Sequence, residues 1–110
     1  MKHFYLFFTL LCFSATFSAQ TSTNVTFSVD MNGEIVSPEG VHIAGGFQGW
    51  DPVATELTDD DMDGIYTFSL DVVGPTLLEF KFINGNSWDF VEDVPGACQV
   101  EVSGNDNRFL

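Results

Sequence analysis

Positive charge is almost missing from this chain. Its 110 residues hold three Lys plus Arg against sixteen Asp plus Glu, a formal net charge of −13. A nucleic-acid phosphate backbone needs a basic patch to meet it, and an anionic membrane surface needs clustered Lys or Arg. Neither is available, so the expected partners are neutral or cationic and nucleic acid is excluded. Histidine and cysteine are as scarce, with two of each. No segment reads as a convincing helix, and no apolar run reaches the ~20 residues that a helix needs to span a bilayer. Membrane insertion is therefore not expected. A Gly-rich phosphate loop and a nucleophile elbow are both missing. The length allows one domain and not two.

The first residues have the layout of a secretory leader: a short basic start (Met1-Lys2-His3), an apolar run from Phe4 to Phe17, then small Ser18-Ala19. Leu11 is too large to precede a lipid-bearing Cys12, which sets the lipoprotein reading aside. Residues 1–19 are expected to be a signal peptide and residues 20–110 a secreted or cell-surface domain. Only Lys81 and Arg108 then remain positive, and His42 and Cys98 are the single mature His and Cys. Export permits disulfides, but Cys98 has no partner in the mature chain.

Strand signals follow one another along the mature chain. Val25, Phe27, Val29 and Met31 alternate with Thr26, Ser28 and Asp30; Tyr66, Phe68, Leu70 and Val72 alternate with Thr67, Ser69 and Asp71. Val41–Ala44 and Leu78–Phe82 read as two more strands. Trp88–Val91 and Gln99–Val102 read as short ones. Many short strands separated by Gly, Pro, Asn and Asp predict an antiparallel sandwich or barrel. Asn107-Arg108-Phe109-Leu110 begins as a strand but is shorter than the usual 5–6 residues, so a truncated last strand is expected.

Asn84-Gly85 lies between two strand-like runs and predicts a two-residue type I′ hairpin. That turn would set Lys81 opposite Trp88 on one face, with Phe80 and Phe82 pointing to the core. An exposed indole offers a flat apolar platform to a sugar ring, and a nearby ammonium can hold a hydroxyl. The plainer alternative is a Lys stem lying over a Trp at the core edge.

The stretch Val41-His42-Ile43-Ala44-Gly45-Gly46-Phe47-Gln48-Gly49-Trp50-Asp51-Pro52 resembles the start of starch- and glycogen-binding modules. These are carbohydrate-binding module families 20 and 48, including the glycogen-binding domain of AMP-activated kinase β subunits. Phe80-Lys81-Phe82-Ile83-Asn84-Gly85-Asn86-Ser87-Trp88 is similar to their second signature, and Asn107-Arg108 to the residues before their last strand. The resemblance implies an all-β, immunoglobulin-like antiparallel β-sandwich that binds α-1,4-glucan without catalysis. It implies a site made by Trp50, Lys81, Trp88 and Asn107. Gln48 stands where those modules usually have Asn, and the segment Asp89–Gly104 is longer than their usual link.

Asp59-Asp60-Asp61-Met62-Asp63-Gly64 fits the first half of an EF-hand calcium loop. Counting Asp59 as position 1, position 12 is Leu70 rather than a bidentate Glu, and the flanks read as strands, so a true EF-hand is excluded. A looser calcium site on Asp59, Asp61 and Asp63 is the functional reading; a solvated turn rich in Asp is the structural one. No other cofactor is expected.

Glycosidic chemistry needs two carboxylates held at a set separation in a cleft, and the acidic residues here lie mostly in turns. A lone His42 on a strand is a poor general base. The chain is therefore read as a binding module for neutral polysaccharide, standing alone or as part of a larger secreted protein. The alternative is an immunoglobulin-like structural or protein-interaction domain of a bacterial surface protein, stabilised by calcium, with Trp50 and Trp88 as anchors. N-terminal sequencing of exported material should start at Gln20 or within two residues of it; a soluble product retaining Met1 would contradict the leader.

Overall fold

A computed structural model describes residues 21–100 and 106–110 of the chain. The predicted leader, and residues 101 and 102 of one predicted strand, lie outside the described residues. The rest forms an all-β sandwich of two antiparallel sheets. Seven strands make it up: β1 Ser22–Asp30, β2 Val41–Gly45, β3 Glu56–Leu57, β4 Ile65–Val73, β5 Glu79–Asn84, β6 Gln99–Val100 and β7 Asn107–Phe109. One sheet is the pair β1–β4. The other has the order β3-β2-β5-β7-β6.

The alternation read in β1 and β4 is realised directly. The two run antiparallel over their full length, with Phe27 opposite Phe68 and Thr26 opposite Ser69. Odd-numbered residues of β1 point inward, where Phe27 is buried at 3 % exposure. Its ring stacks on Phe47 and meets Phe80 edge-on, at centroid distances of 5.6 and 4.8 Å. Such aromatic pairs add about 0.5–1.5 kcal/mol each beyond the area they bury. Val41, Ile43, Leu57 and Phe82 complete the core from the larger sheet.

β2 and β5 form the centre of that sheet, in a register from Val41 opposite Asn84 to Gly45 opposite Phe80. Every residue of β2 is buried. Gly45 is required at its end: a Cβ there would stand 2.7 Å from the Glu79 carbonyl and 2.6 Å from the Phe47 ring. His42, on the opposite face from Ile43, is also buried, and its Nδ1 has no hydrogen-bond partner.

Two expectations are corrected. Asn84 and Gly85 do not form a two-residue turn, which needs positive φ at both. Only Gly85 is in that region, at φ 139°. Asn84 stays in β5, and its side chain pins the 31–40 loop, donating to the Ile35 carbonyl and accepting from the Ser37 N–H, both at 2.8 Å. The chain returns only at Val91, which bridges to Ile83. Lys81 therefore does not face Trp88; its partner on β2 is Ala44. Trp88–Val91 is not a strand either: Trp88–Phe90 is a 3-10 turn capped by Ser87.

β3 was not legible in the sequence. It is two residues long, below the length at which alternation can be seen. The short last strand is β7, which continues its pairing through Leu110: Leu78 and Leu110 exchange two backbone hydrogen bonds at 3.1 and 2.9 Å.

Candidate functional site

Trp50 is set by the exit from β2. After Gly45 the chain makes a 3-10 turn, Gly46–Gln48, passes Gly49 at φ 75°, and reaches Trp50 at φ 58°. A bulky residue in the left-handed region costs on the order of 1–3 kcal/mol and persists only where its surroundings enforce it. The enforcement comes from Gln48. Its Nε2 donates to the carbonyls of Ile43 (3.1 Å) and Asp51 (2.6 Å), and its Oε1 accepts from the Asp51 N–H (2.7 Å). The Trp50 N–H donates to the Gly45 carbonyl at 2.9 Å. The half-buried indole folds back over Gly46, with Nε1 3.9 Å from the position of a Cβ there.

Lys81 occupies β5 on the face opposite Phe80 and Phe82. It is half-buried and takes part in no ion pair or hydrogen bond among the described residues. The other Lys or Arg among the described residues is neutralised: Arg108 Nε lies 2.7 Å from Glu92 Oε1 and its Nη2 2.9 Å from Oε2. Hydrogen bonding to Glu92 holds the Arg108 guanidinium even further above its ordinary range. The register that puts Phe80 opposite Arg108 carries Asn107 to the same face as Lys81. Asn107 is only 4 % exposed, so its amide is covered.

Trp88 lies past the other end of β5. Ser87 Oγ accepts from the Asp89 N–H at 3.3 Å, and the Val91 N–H closes the turn on the Trp88 carbonyl, also at 3.3 Å. Trp88 is 43 % exposed and Phe90 61 %. Phe90 rests on Gly85, where a Cβ would come within 3.3 Å of its ring. The structure thus brings Trp50, Lys81 and Asn107 to one end of the β2–β5 pair and puts Trp88 beyond the other. The two ends are about 13 Å apart at ~3.3 Å per residue.

The Asp loop joins β3 to β4. Asp59, Asp61 and Asp63 each offer a carboxylate oxygen, all within 4.8 Å of one another. Desolvation pushes Asp59 up, but the N–H groups of Gly64 and Asp63 and its carboxyl neighbours outweigh it and hold its pKa below 3.8. Asp61 is raised, first by sharing a hydrogen bond with Asp63 and then by desolvation and Asp59. Met62, between them, is the second non-glycine residue at positive φ, 58°. These oxygens could hold a hard cation of the calcium kind.

No family model, curated protein or solved structure matches the chain. The geometry therefore has to carry the functional argument unaided. Sequence reasoning had passed over Gln48 as a departure from the usual Asn. Its partners, at Ile43 and Asp51, are invisible until β2 has turned back on itself; a long amide inside a Gly-rich turn is the only hint.

Removing the latch should cost stability. Gln48→Ala is expected to lower unfolding free energy by about 1–2 kcal/mol and to change the near-UV dichroism of Trp50, read by denaturant titration and spectroscopy. For the Asp loop the signs oppose. Asp59 contributes stability that is present above 3.8 and lost as pH falls through its lowered folded value. Asp61 contributes stability that is complete below 3.8 and lost as pH rises through its raised folded value. Asp61→Asn should therefore raise the melting midpoint at neutral pH in chelator. If the three oxygens take calcium, ~10⁻³ M of it should raise the wild-type midpoint more than the variant's.

Proposed function

We propose that this chain is a non-catalytic module that binds an α-1,4-glucan such as starch, glycogen or a maltooligosaccharide, exported by the leader in residues 1–19. The observation that carries the reading is Trp50. An aromatic residue held in a left-handed backbone by the Gln48 latch, at the same end of the β2–β5 pair as Lys81, whose ammonium has no partner among the described residues, supports a preset platform with a polar group near it. Trp88, exposed beyond Asn84, adds a second platform further along the pair. A linear sugar chain lying along β5 would meet Trp50, Lys81 and Trp88 in that order. Asn107 enters this reading only as a covered residue of the neighbouring strand, on the same face as Lys81.

Catalysis has little to work with. A general base must be oriented by a third group, and the buried Nδ1 of His42 has no partner. A bound calcium at Asp59, Asp61 and Asp63 would act on the β3–β4 turn, away from the sugar.

The second reading is a structural or protein-interaction domain. The half-burial of Trp50 favours it, since an indole tucked over Gly46 also serves as an anchor.

Affinity electrophoresis in starch or glycogen separates the two. Stacking removes ring area from water at ~25 cal/mol per Å², whereas a lysine exchanging one hydrogen bond for another nets about 0.5–1.5 kcal/mol. Trp88→Ala should abolish retardation and remain folded, because Trp88 is 43 % exposed. Lys81→Ala should only weaken it. A folded wild type that runs unretarded would give the structural reading its place.

A further inference from the structure

The two sheets differ in width. Thr67 of β4 bridges to Thr58, the residue that follows β3, and Phe27 of β1 packs on Phe80 of β5. The small sheet therefore covers β3, β2 and β5 and stops there. Beyond β1 the larger sheet continues into β7 and β6, where Glu92 and Arg108 form an ion pair and Arg108 lies 5.8 Å above the Phe82 ring. Among the described residues β1 has no neighbour on that side. Its inward Val25 and Val29 are half-buried against the core, whereas Phe27 between them is fully buried.

Free edges normally carry charge, Pro or a bulge that discourages pairing. β1 carries none of these from Ser22 to Val29, in a chain with sixteen acidic residues. Charge appears only at its end. There a cleft of about 340 Å³ opens between Val29, Met31, Phe82 and Phe90, with Asp30 and Glu34 on its rim. Asp30 uses one oxygen, Oδ1, to hold Asn32 (2.9 and 2.8 Å). The Glu34 carboxylate has no partner among the described residues.

We propose that the free edge of β1 accepts an extended peptide segment with alternating apolar side chains and basic residues at its N-terminal end. Strand addition supplies backbone hydrogen bonds along Ser22–Asp30, and alternate side chains reach Val25, Val29 and the cleft. Running antiparallel to β1, as β4 does, the segment brings its N-terminus to Asp30 and Glu34, so basic residues there meet uncompensated carboxylates. A second copy of the chain does not fit this edge. Antiparallel β1–β1 pairing would put the two overhanging β7–β6 edges on the same side, in the same space.

The test uses a labelled peptide, Lys-Lys-Val-Thr-Val-Thr-Val-Thr-Val, and the same peptide with Glu-Glu in place of Lys-Lys. Hydrogen exchange should show slowed amides within Ser22–Asp30 when the Lys peptide is added, and fluorescence anisotropy should report its binding below ~10⁻³ M. The Glu peptide should bind at least about tenfold more weakly, and Glu34→Gln should narrow that difference. Glu34 is exposed, so the variant keeps the fold. Equal binding of both peptides, protection elsewhere than β1, or no protection at ~10⁻³ M peptide would overturn the proposal. Sedimentation that grows with protein concentration and is abolished by Thr26→Lys would overturn it in favour of a second copy. Loss of starch binding would not affect any of these readouts.

Discussion

Everything in this molecule is referred to the β2–β5 ladder. Both faces of it are buried: Ile43 and Phe82 on the inner side, His42, Ala44 and Ile83 on the outer. A slip of one residue would exchange the two sets and drive Lys81 into the aromatic core, so the register is held strongly. That register sets where β2 ends, and so where Trp50 stands. It puts Lys81 on the outer face, and it leaves Asn84 free to pin the 31–40 loop through Ile35 and Ser37.

Local strain sits at the two turns that carry the candidate chemistry. Trp50 and Met62 are the non-glycine residues with positive φ among the described residues. Each is held by side-chain hydrogen bonds to backbone: Gln48 around Trp50, Asp59 and Asp63 around Met62. In both places a polar side chain does what a regular ladder does elsewhere, satisfying N–H and C=O groups that the turn leaves open. The same dependence on one side chain recurs at Glu92, which accepts from the Phe82 N–H at 3.1 Å and pairs with Arg108. Glu92 thus serves as edge partner for β5 and as ion-pair partner for Arg108 of β7.

The unequal widths of the sheets follow from chain length and loop placement rather than from any one residue. β1 and β4 take nine residues each and use most of the long alternating sequence. The remaining apolar residues are spread over strands of two to six residues, enough to widen the other sheet but not to roof it. The result is a sandwich with a closed side at β3–β4 and an open one at β1.

Much of the architecture was determined by the sequence alone. The alternation in Val25–Met31 and Tyr66–Val72 has a period of two, and that period survives any context that buries one face. β1, β2, β4 and β5 were legible for this reason, as were Phe80 and Phe82 in the core. The acidic triplet Asp59, Asp61 and Asp63 was legible because its members are neighbours in the chain. Tertiary structure alone decided the rest. The preference of Asn-Gly for a tight turn is local and small, and it yielded to Asn84 bonding with the 31–40 loop and Phe90 seating on Gly85. With it went the Lys81–Trp88 pair. The burial of Asn107, the grip of Gln48 on Trp50 and the bare edge of β1 likewise depend on contacts between distant parts of the chain. No window of sequence contains those contacts, because the groups that make them meet only after β2 and β5 have paired.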